Sequence, residues 1–214
     1  MLYEKSIQKA NLIMSLRSMG ISSKDVLNAI ETIPRELFLP SNFHSYAYKN
    51  NPLPIGFEQT ISQPYIVALM TEALNLKGNE IILEIGTGSG YQTSVLSLLS
   101  RRVYSIERIK PLLVNALLCF KKLKLTNIVS KHDDGFLGWP KLAPFDHLII
   151  TCAIKKIDDR LLNQVRYNGI CIAPVATSLN QQRLKKIIVK DKRENDIWED
   201  LGEVSFVPLV SDYD

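Results

Sequence analysis

The sequence lacks any apolar run long enough to cross a membrane. Such a helix needs about 20 consecutive, mostly apolar residues, and polar or charged residues interrupt every apolar stretch of this 214-residue chain sooner than that. The first residues, 1–5, also lack the basic flank, apolar stretch and small-residue cleavage site of an export signal. We therefore expect a cytoplasmic protein without a membrane partner.

Cysteine is also scarce. The three cysteines, Cys119, Cys152 and Cys171, are odd in number and form no Cys-x-x-Cys pair. This spacing argues against both a disulfide framework and a zinc site. We expect small buried thiols in a reducing compartment, and no bound metal.

Charge of one sign is only slightly in excess. The formal net charge is +4, which falls short of the basic character typical of nucleic-acid-binding domains. The chain also has no repeats and no low-complexity linker. We expect one domain, a monomer, and no nucleic-acid partner.

Strand and helix patterns alternate from residue 62 onwards. Predicted strands cover 80–85, 103–107, 128–132, 147–151 and 169–175, and predicted helices cover 66–76, 91–99, 111–123 and 158–165. Such alternation favours a parallel sheet with helices on both faces. The tail, at 183–189 and 204–210, predicts two closing strands that include an antiparallel pair. The fold class is therefore α/β, with a doubly wound, mostly parallel sheet.

Two helical patterns precede this core. The first places four residues on or beside one face and stops at Gly20; they are Ile7, Ala10, Met14 and Arg17. The second begins after a capping Ser23 and has an apolar stripe made of Val26, Ala29, Ile30 and Ile33. Residues 40–59 show no period and are predicted to be a loop with turns.

A glycine-rich turn follows the first core strand and opens a helix. Its spacing is Gly86-x-Gly88-x-Gly90, with Thr87 between the first two glycines. Glycines let a ligand approach the backbone closely, and the helix start supplies unpaired N–H groups. The spacing differs from the dinucleotide fingerprint, and Glu84 stands two residues before the first glycine. A carboxylate there favours S-adenosylmethionine, whose amino-acid end carries an ammonium group.

Two further acids follow the next two strands. Glu107 is placed to accept hydrogen bonds from ribose hydroxyls, and Asp134-Gly135 is placed to receive an adenine amino group. A glycine turn that only packs a strand against a helix is the alternative interpretation. Three acids that each end a successive strand favour a cofactor site instead.

One segment closely resembles the characteristic sequence of a known family. Residues 54–65 have the sequence PIGFEQTISQPY, which is similar to the segment typical of protein L-isoaspartate O-methyltransferases. Residues 83–93, 105–108, 134–139, 143–146 and 206–209 fit the same family. The resemblance spans nearly the whole chain from about residue 25. It implies a Rossmann-like class I methyltransferase fold, with a helical N-terminal extension and C-terminal antiparallel strands.

The resemblance also implies the reaction and the residues that serve it. Such enzymes use S-adenosylmethionine to methylate the free α-carboxylate of L-isoaspartyl residues in damaged proteins, and the ester then cyclises to a succinimide. Residues 1–61 would supply the N-terminal helices and the substrate-side loop, and residues 62–214 the cofactor-binding core. Ser62 is the implied active-site residue. The implied substrate contacts are Pro54, Ile55, Gly56 and Ser62, and the implied cofactor contacts are Gln59, Thr60, Ile61, Glu84, Gly86, Thr87, Gly88, Gly90, Glu107, Asp134 and Gly135.

This reaction requires few catalytic groups from the protein. A carboxylate is already ionised at neutral pH, since its ordinary pKa is about 4, and a sulfonium is a good methyl donor. Neither a general base nor a metal is therefore required, and catalysis should come from alignment and the exclusion of water. We expect the Ser62 hydroxyl to hold one carboxylate oxygen. Capping of the following helix is its alternative role.

The sequence departs from the family at a few positions. Asp133, Asn168 and Ala176 stand where the family usually has glycine, and residues 151–154 lack a proline often found there. Asp133 beside the adenine pocket is hypothesised to change its shape or weaken cofactor binding.

Three other functions stay open. The first is methylation of another acceptor, although enzymes acting on exocyclic amines commonly carry Asn/Asp-Pro-Pro-Tyr/Phe after strand four, where this chain has Thr-Cys-Ala-Ile at 151–154. The second is an NAD-dependent oxidoreductase, which the glycine spacing disfavours. The third is a catalytically weak cofactor-binding module.

Overall fold

A seven-stranded sheet forms the centre of the computed structural model, which describes residues 2–178, 181–191 and 194–210. The helices are α1 (Leu2–Ser18), α2 (Lys24–Thr32), α3 (Pro64–Ala73), α4 (Tyr91–Leu99), α5 (Lys110–Lys122) and α6 (Asp159–Leu162). The strands are β1 (Leu53–Gly56), β2 (Gln59–Ile61), β3 (Ile81–Ile85), β4 (Arg102–Glu107), β5 (Ile128–His132), β6 (Phe145–Ile150), β7 (Val165–Ser178), β8 (Gln181–Ile188) and β9 (Ile197–Val204). Short 3-10 helices cover Arg35–Phe38, Ser41–Tyr46, Gly135–Leu137 and Pro140–Leu142.

The order of strands in this sheet is β5-β4-β3-β6-β7-β8-β9. The pairs from β5 to β7 are parallel, whereas β7–β8 and β8–β9 are antiparallel. The predicted doubly wound sheet with closing antiparallel strands is therefore confirmed. Its strand order reverses between β3 and β6, and in such sheets ligands bind outside the carboxyl ends of the strands at this point.

The N-terminal helices share a core with the helices of the sheet. Leu16 and Ile30 are buried in the same apolar cluster as Val67 of α3 and Val95 of α4. Each fully buried side chain of this kind contributes about 1.5–3 kcal/mol. The helices α1 and α2 are thus packed directly against α3 and α4.

The prediction for α2 is confirmed, and the predicted face of α1 is wrong. Ser23 caps α2 by accepting a hydrogen bond from the backbone N–H of Val26, at 3.3 Å. In α1, however, Ile7 is 44% exposed and Met14 is 60% exposed, whereas Leu12 and Leu16 are buried. Both sets of residues have helical spacing, so periodicity alone does not choose between them.

The predicted loop at 40–59 contains regular structure. Residues 53–61 form the β1–β2 hairpin, and residues 41–46 form a 3-10 helix. The two hairpin turn residues, Phe57 and Glu58, have φ angles of 52° and 57°. Such turns usually carry Asn-Gly or Asp-Gly, so the usual sequence signal of a hairpin is missing here.

Two boundaries near the C-terminus also differ from the prediction. The last strand, β9, ends at Val204, whereas a strand at 204–210 was predicted. Residues 207–209 instead run beside Ala153, which donates a hydrogen bond to Val207 O and accepts one from Leu209 N. The predicted helix at 158–165 is a single turn, since β7 already begins at Val165.

Gly90, which precedes α4, gives a test of this packing. Its φ is +87°, and an added Cβ would lie 2.7 Å from the Phe120 ring. We expect Gly90→Ala to lower the free energy of unfolding by about 2–4 kcal/mol, because backbone strain adds to overpacking.

Gly78 is the matched control, since its φ is +94° and no atom lies within 4 Å of an added Cβ. Gly78→Ala should cost only the backbone strain, about 1–2 kcal/mol. Urea denaturation measures both variants, and equal losses would contradict the packing assigned to Gly90.

Candidate active site

A cleft lies at the carboxyl edge of the sheet, where the hairpin meets the ends of β3, β4 and β6. It encloses about 880 Å³ of atom-free space, including its open mouth. Nine residues predicted from the sequence line it: Gln59, Thr60, Ile61, Ser62, Gly86, Thr87, Gly88, Glu107 and Gly135. The fold therefore brings residues 59–62 and the glycine turn to one cleft.

The glycine turn is fixed against both neighbouring strands. The backbone N–H groups of Gly86 and Thr87 donate to Ile106 O of β4, at 2.9 and 3.2 Å. On the other side, Thr151 Oγ1 donates to Ile85 O at 3.0 Å. An added Cβ on Gly86, whose φ is +94°, would collide with Thr151 Oγ1, so only glycine fits at this position.

Glu107 stands at the end of β4 with its carboxylate on the cleft wall. One of its oxygens accepts a hydrogen bond from Gly88 N at 2.7 Å, and the other accepts one from Ile109 N at 2.8 Å. These bonds fix the orientation of the carboxylate. Each carboxylate oxygen has a second lone pair, so Glu107 retains the capacity to accept hydrogen bonds from a ligand.

Glu84 lies behind the glycine turn and is completely buried. Its Oε2 accepts hydrogen bonds from Thr93 Oγ1 and Ser105 Oγ, both at 2.5 Å, while Oε1 has no partner among the described residues. The pKa of Glu84 is raised to about 8, chiefly by burial and to a smaller extent by the nearby charge of Glu107. Glu84 therefore holds its proton at neutral pH in the ligand-free protein, and a cationic ligand group near its vacant oxygen would favour the ionised form.

Six of the predicted site residues do not line the cleft. Glu84 and Gly90 lie behind the glycine turn, where Gly90 packs against Phe120. The Asp134 carboxylate accepts a hydrogen bond from Phe136 N at 2.8 Å and is almost fully buried, so Gly135 forms the wall there. The other three belong to β1: they are Pro54, Ile55 and Gly56.

The capping role considered for Ser62 is wrong. The N-cap of α3 is Gln63, and the helix has no side-chain cap. Ser62 is half-buried on the cleft wall, and its carbonyl accepts a hydrogen bond from Arg35 Nη2 at 3.1 Å. Within residues 2–178, 181–191 and 194–210, no hydrogen bond uses its hydroxyl, which is therefore available to a ligand.

The departures from the family pattern are compatible with the backbone. Asp133 is exposed, pairs with Lys131 at 2.6 Å and does not line the cleft. Its backbone is not left-handed, nor is that of Ala176 in β7, so neither position demands glycine. Asn168 has a φ of 63°, a conformation that asparagine adopts more readily than most residues. The effect of Asp133 on the adenine pocket stays a hypothesis: its side chain lies outside the cleft, while its backbone N–H donates to Glu107 O at 3.1 Å.

Sequence reasoning missed two parts of the cleft wall. Thr151 and Cys152 follow β6, and their place at the end of a parallel strand was a signal that pointed to this edge. Residues 207–210 also line the cleft. They reach it through a tertiary contact with Ala153, which no local sequence pattern indicates.

Comparison with known proteins decides the family. The family model described as protein-L-isoaspartate(D-aspartate) O-methyltransferase matches residues 7–214. The chain belongs to this family. Curated relatives named protein-L-isoaspartate O-methyltransferase include one from Dictyoglomus thermophilum, 48% identical over 206 residues (96% of this chain, 92% of the relative), and one from Aliivibrio salmonicida, 50% identical over 196 residues (92% of each).

Solved structures agree with this assignment. One protein-L-isoaspartate O-methyltransferase has a TM-score of 0.86 and 27% identity, over 95% of this chain and 66% of its own length. A second structure, from Plasmodium falciparum, is a putative member of the family in complex with S-adenosyl-L-homocysteine. Its TM-score is 0.79 and its identity 25%, over 94% of this chain and 97% of its own.

Glu84 makes the stability of the ligand-free protein depend on pH. Its pKa is about 8 in the folded protein against an ordinary value of 4.5, so between these values the folded state holds the proton and the unfolded state loses it. The stabilising contribution of the protonated group is complete below pH 4.5 and is lost as the pH rises through 8. We expect Glu84→Gln, which cannot ionise, to gain stability relative to wild type as the pH rises from 5 to 8.

Urea denaturation of the ligand-free protein at pH 5, 6.5 and 8 measures this effect. Glu199→Gln, at an exposed position on β9, is the control and should follow the wild-type profile. Parallel profiles for wild type and Glu84→Gln would contradict the raised pKa.

Proposed function

We propose that this chain transfers a methyl group from S-adenosylmethionine to the free α-carboxylate of L-isoaspartyl residues in damaged proteins. A bond forms between a carboxylate oxygen and the methyl carbon as the carbon–sulfur bond breaks, which yields the methyl ester and S-adenosylhomocysteine. The ester cyclises to a succinimide when the neighbouring backbone amide nitrogen attacks the ester carbonyl and methanol leaves. Hydrolysis of the succinimide returns part of the material to normal aspartate. Beyond family membership, the observation that carries the proposal is the available Ser62 hydroxyl on the same cleft as the glycine turn and Glu107.

The cleft has features that fit the cofactor. Glu84 lies behind the glycine turn with one oxygen that has no partner among the described residues, and it would interact with a cationic group directly or through water. Gly86 and Gly88 form part of the cleft wall. Glu107 would accept the ribose hydroxyls, while Gln59, Thr60 and Ile61 would form the wall towards the hairpin. When bound, the cofactor supplies a methyl group on a positively charged sulfur.

The residues of the chain have to orient the acceptor rather than move a proton. The acceptor carboxylate is already ionised at neutral pH, so no side chain needs to act as a base. Ser62 would donate its hydroxyl proton in a hydrogen bond to one carboxylate oxygen and leave the other free to attack. The apolar side chains at Ile61, Val207 and Leu209 border the same cleft and would exclude water, which strengthens this hydrogen bond.

The hairpin provides a place for the substrate chain. Among the described residues, β1 and β2 pair with each other as a two-stranded sheet, and no further strand pairs with the outer edge of either. An extended peptide can bind such an edge through main-chain hydrogen bonds. Contacts with Pro54, Ile55 and Gly56 would then depend on the peptide backbone more than on its side chains, which suits a repair enzyme that must accept many sequences.

We also propose that the protein acts as a monomer in the cytoplasm, with damaged polypeptides as its partners and without nucleic acid or membrane. The three free thiols support a reducing compartment. Among the described residues, no helix has the length and apolar character to cross a membrane.

Methyl transfer to paired peptides tests the proposed function. We expect labelled S-adenosylmethionine to give base-labile label on an L-isoaspartyl peptide and none on its aspartyl twin. Only the isoaspartyl residue has a free α-carboxylate, because its main chain continues through the β-carboxyl group. Ser62→Ala should lower kcat about 10- to 100-fold, which corresponds to the loss of one hydrogen bond to a charged group, about 1.5–3 kcal/mol.

Ser18→Ala, at the exposed end of α1, is the matched control and should retain wild-type activity. Cofactor binding without transfer to either peptide would reject the proposal in favour of a non-catalytic module. Transfer to another acceptor alone would reject the isoaspartyl substrate.

A further inference from the structure

Arg35 is a completely buried arginine whose guanidinium group donates hydrogen bonds to three backbone carbonyl groups. Its Nη1 donates to Ala47 O at 2.6 Å, and its Nη2 donates to Asn51 O and to Ser62 O, both at 3.1 Å. One guanidinium group thus joins the loop at 47–51 to the residue that we assign to the reaction.

No carboxylate compensates this charge among the residues that the structure describes. The described ion pairs do not include Arg35, and its guanidinium carbon instead lies 5.9 Å from the centroid of the Tyr91 ring. Burial lowers the pKa of Arg35 to about 10, so the group remains charged at neutral pH. A buried unpaired charge is costly, and apolar residues of similar volume are often at least as stabilising. A role beyond general stability is therefore indicated.

The backbone around Ser62 has little local structure of its own to fix it. β2 contains only three residues, and α3 begins two residues after Ser62 without a side-chain cap. Two contacts from the 47–51 loop region replace local structure: Arg35 links this loop to Ser62 O, and Asn50 Oδ1 accepts a hydrogen bond from Tyr65 N at 2.9 Å. Ser62 is thus fixed through tertiary hydrogen bonds on both sides.

We propose that Arg35 is a positioning residue, whose fork of hydrogen bonds to Ala47, Asn51 and Ser62 holds the Ser62 hydroxyl where it meets the substrate carboxylate. This inference rests on the proposed function of Ser62. Lysine in place of Arg35 would keep the charge but lose the planar fork, which bonds several acceptors at once. The Ser62 backbone would then lose its fixed position.

A double-mutant cycle separates positioning from general damage to the fold. It compares kcat for wild type, Arg35→Lys, Ser62→Ala and the double variant, with an L-isoaspartyl peptide and saturating S-adenosylmethionine. We expect Arg35→Lys to lower kcat about 10- to 100-fold, since a misplacement of about 1 Å has effects of this size. In the Ser62→Ala background the same change should lower kcat less than about 3-fold, because the hydroxyl that it positions is absent. The affinity for S-adenosylhomocysteine should stay within about 3-fold of wild type in all four proteins.

Tyr48→Phe is the matched control for damage to this layer. It removes the buried hydrogen bond from the Tyr48 hydroxyl to Glu36, next to the Arg35 site, without removing a bond of the guanidinium. We expect it to reduce stability and leave kcat unchanged. Circular dichroism confirms that each variant is folded at the assay temperature.

Full kcat in Arg35→Lys, or the same fold-loss with and without the Ser62 hydroxyl, would overturn the positioning role while the proposed function stands. A wild type that transfers no methyl to the peptide would refute both.

A measurement on the wild type covers the case in which Arg35→Lys does not fold. The Arg35 Nη–H resonances of the S-adenosylhomocysteine complex should shift when the isoaspartyl peptide is added, and the aspartyl twin should leave them unchanged. Resonances that do not respond to the isoaspartyl peptide would overturn the inference.

Discussion

The parallel alignment of β3, β4 and β6 places three polar strand ends at one edge of the sheet, and the rest of the site depends on it. The glycine turn after β3 hydrogen-bonds to Ile106 of β4 and contacts Thr151 after β6. Glu107 then fixes Gly88 from the end of β4. No single one of these segments would hold the turn in place, but adjacent strands in register do so together.

Two buried ionisable groups lie near this edge of the sheet. Glu84 has a carboxylate oxygen without a partner among the described residues, and Arg35 has three backbone carbonyls in place of an acid. Both groups are costly to bury in the ligand-free protein. Both positions fit the proposed roles, since Glu84 lies behind the glycine turn and Arg35 donates a hydrogen bond to Ser62 O.

The sequence allowed the sheet and its polar edge to be predicted, because both follow local rules. Alternating patterns located the core strands and helices, and the rule that parallel strand ends converge placed Glu107 and the glycine turn on the same cleft. The hairpin was missed because Phe57 and Glu58 occupy turn positions that usually carry Asn or Gly.

Tertiary contacts explain the remaining differences. Residues 207–210 reach the cleft only by pairing beside Ala153. The burial of Arg35 could not be predicted from the sequence. Most arginines lie at the surface, and no local pattern indicates that this one is completely buried. The sequence of α1 has two sets of residues with helical spacing, and packing against the rest of the protein determines which of the two is buried.

The most direct test of the account is a crystal structure of the protein with S-adenosylhomocysteine and an L-isoaspartyl peptide. We expect the ribose hydroxyls on Glu107, one carboxylate oxygen of the peptide within hydrogen-bond distance of the Ser62 hydroxyl, and the other oxygen directed at the sulfur along the line of transfer. Reacting atoms about 3–3.5 Å apart are the geometry that alignment requires. A peptide carboxylate bound away from Ser62, or a cofactor that does not contact the glycine turn, would contradict the account.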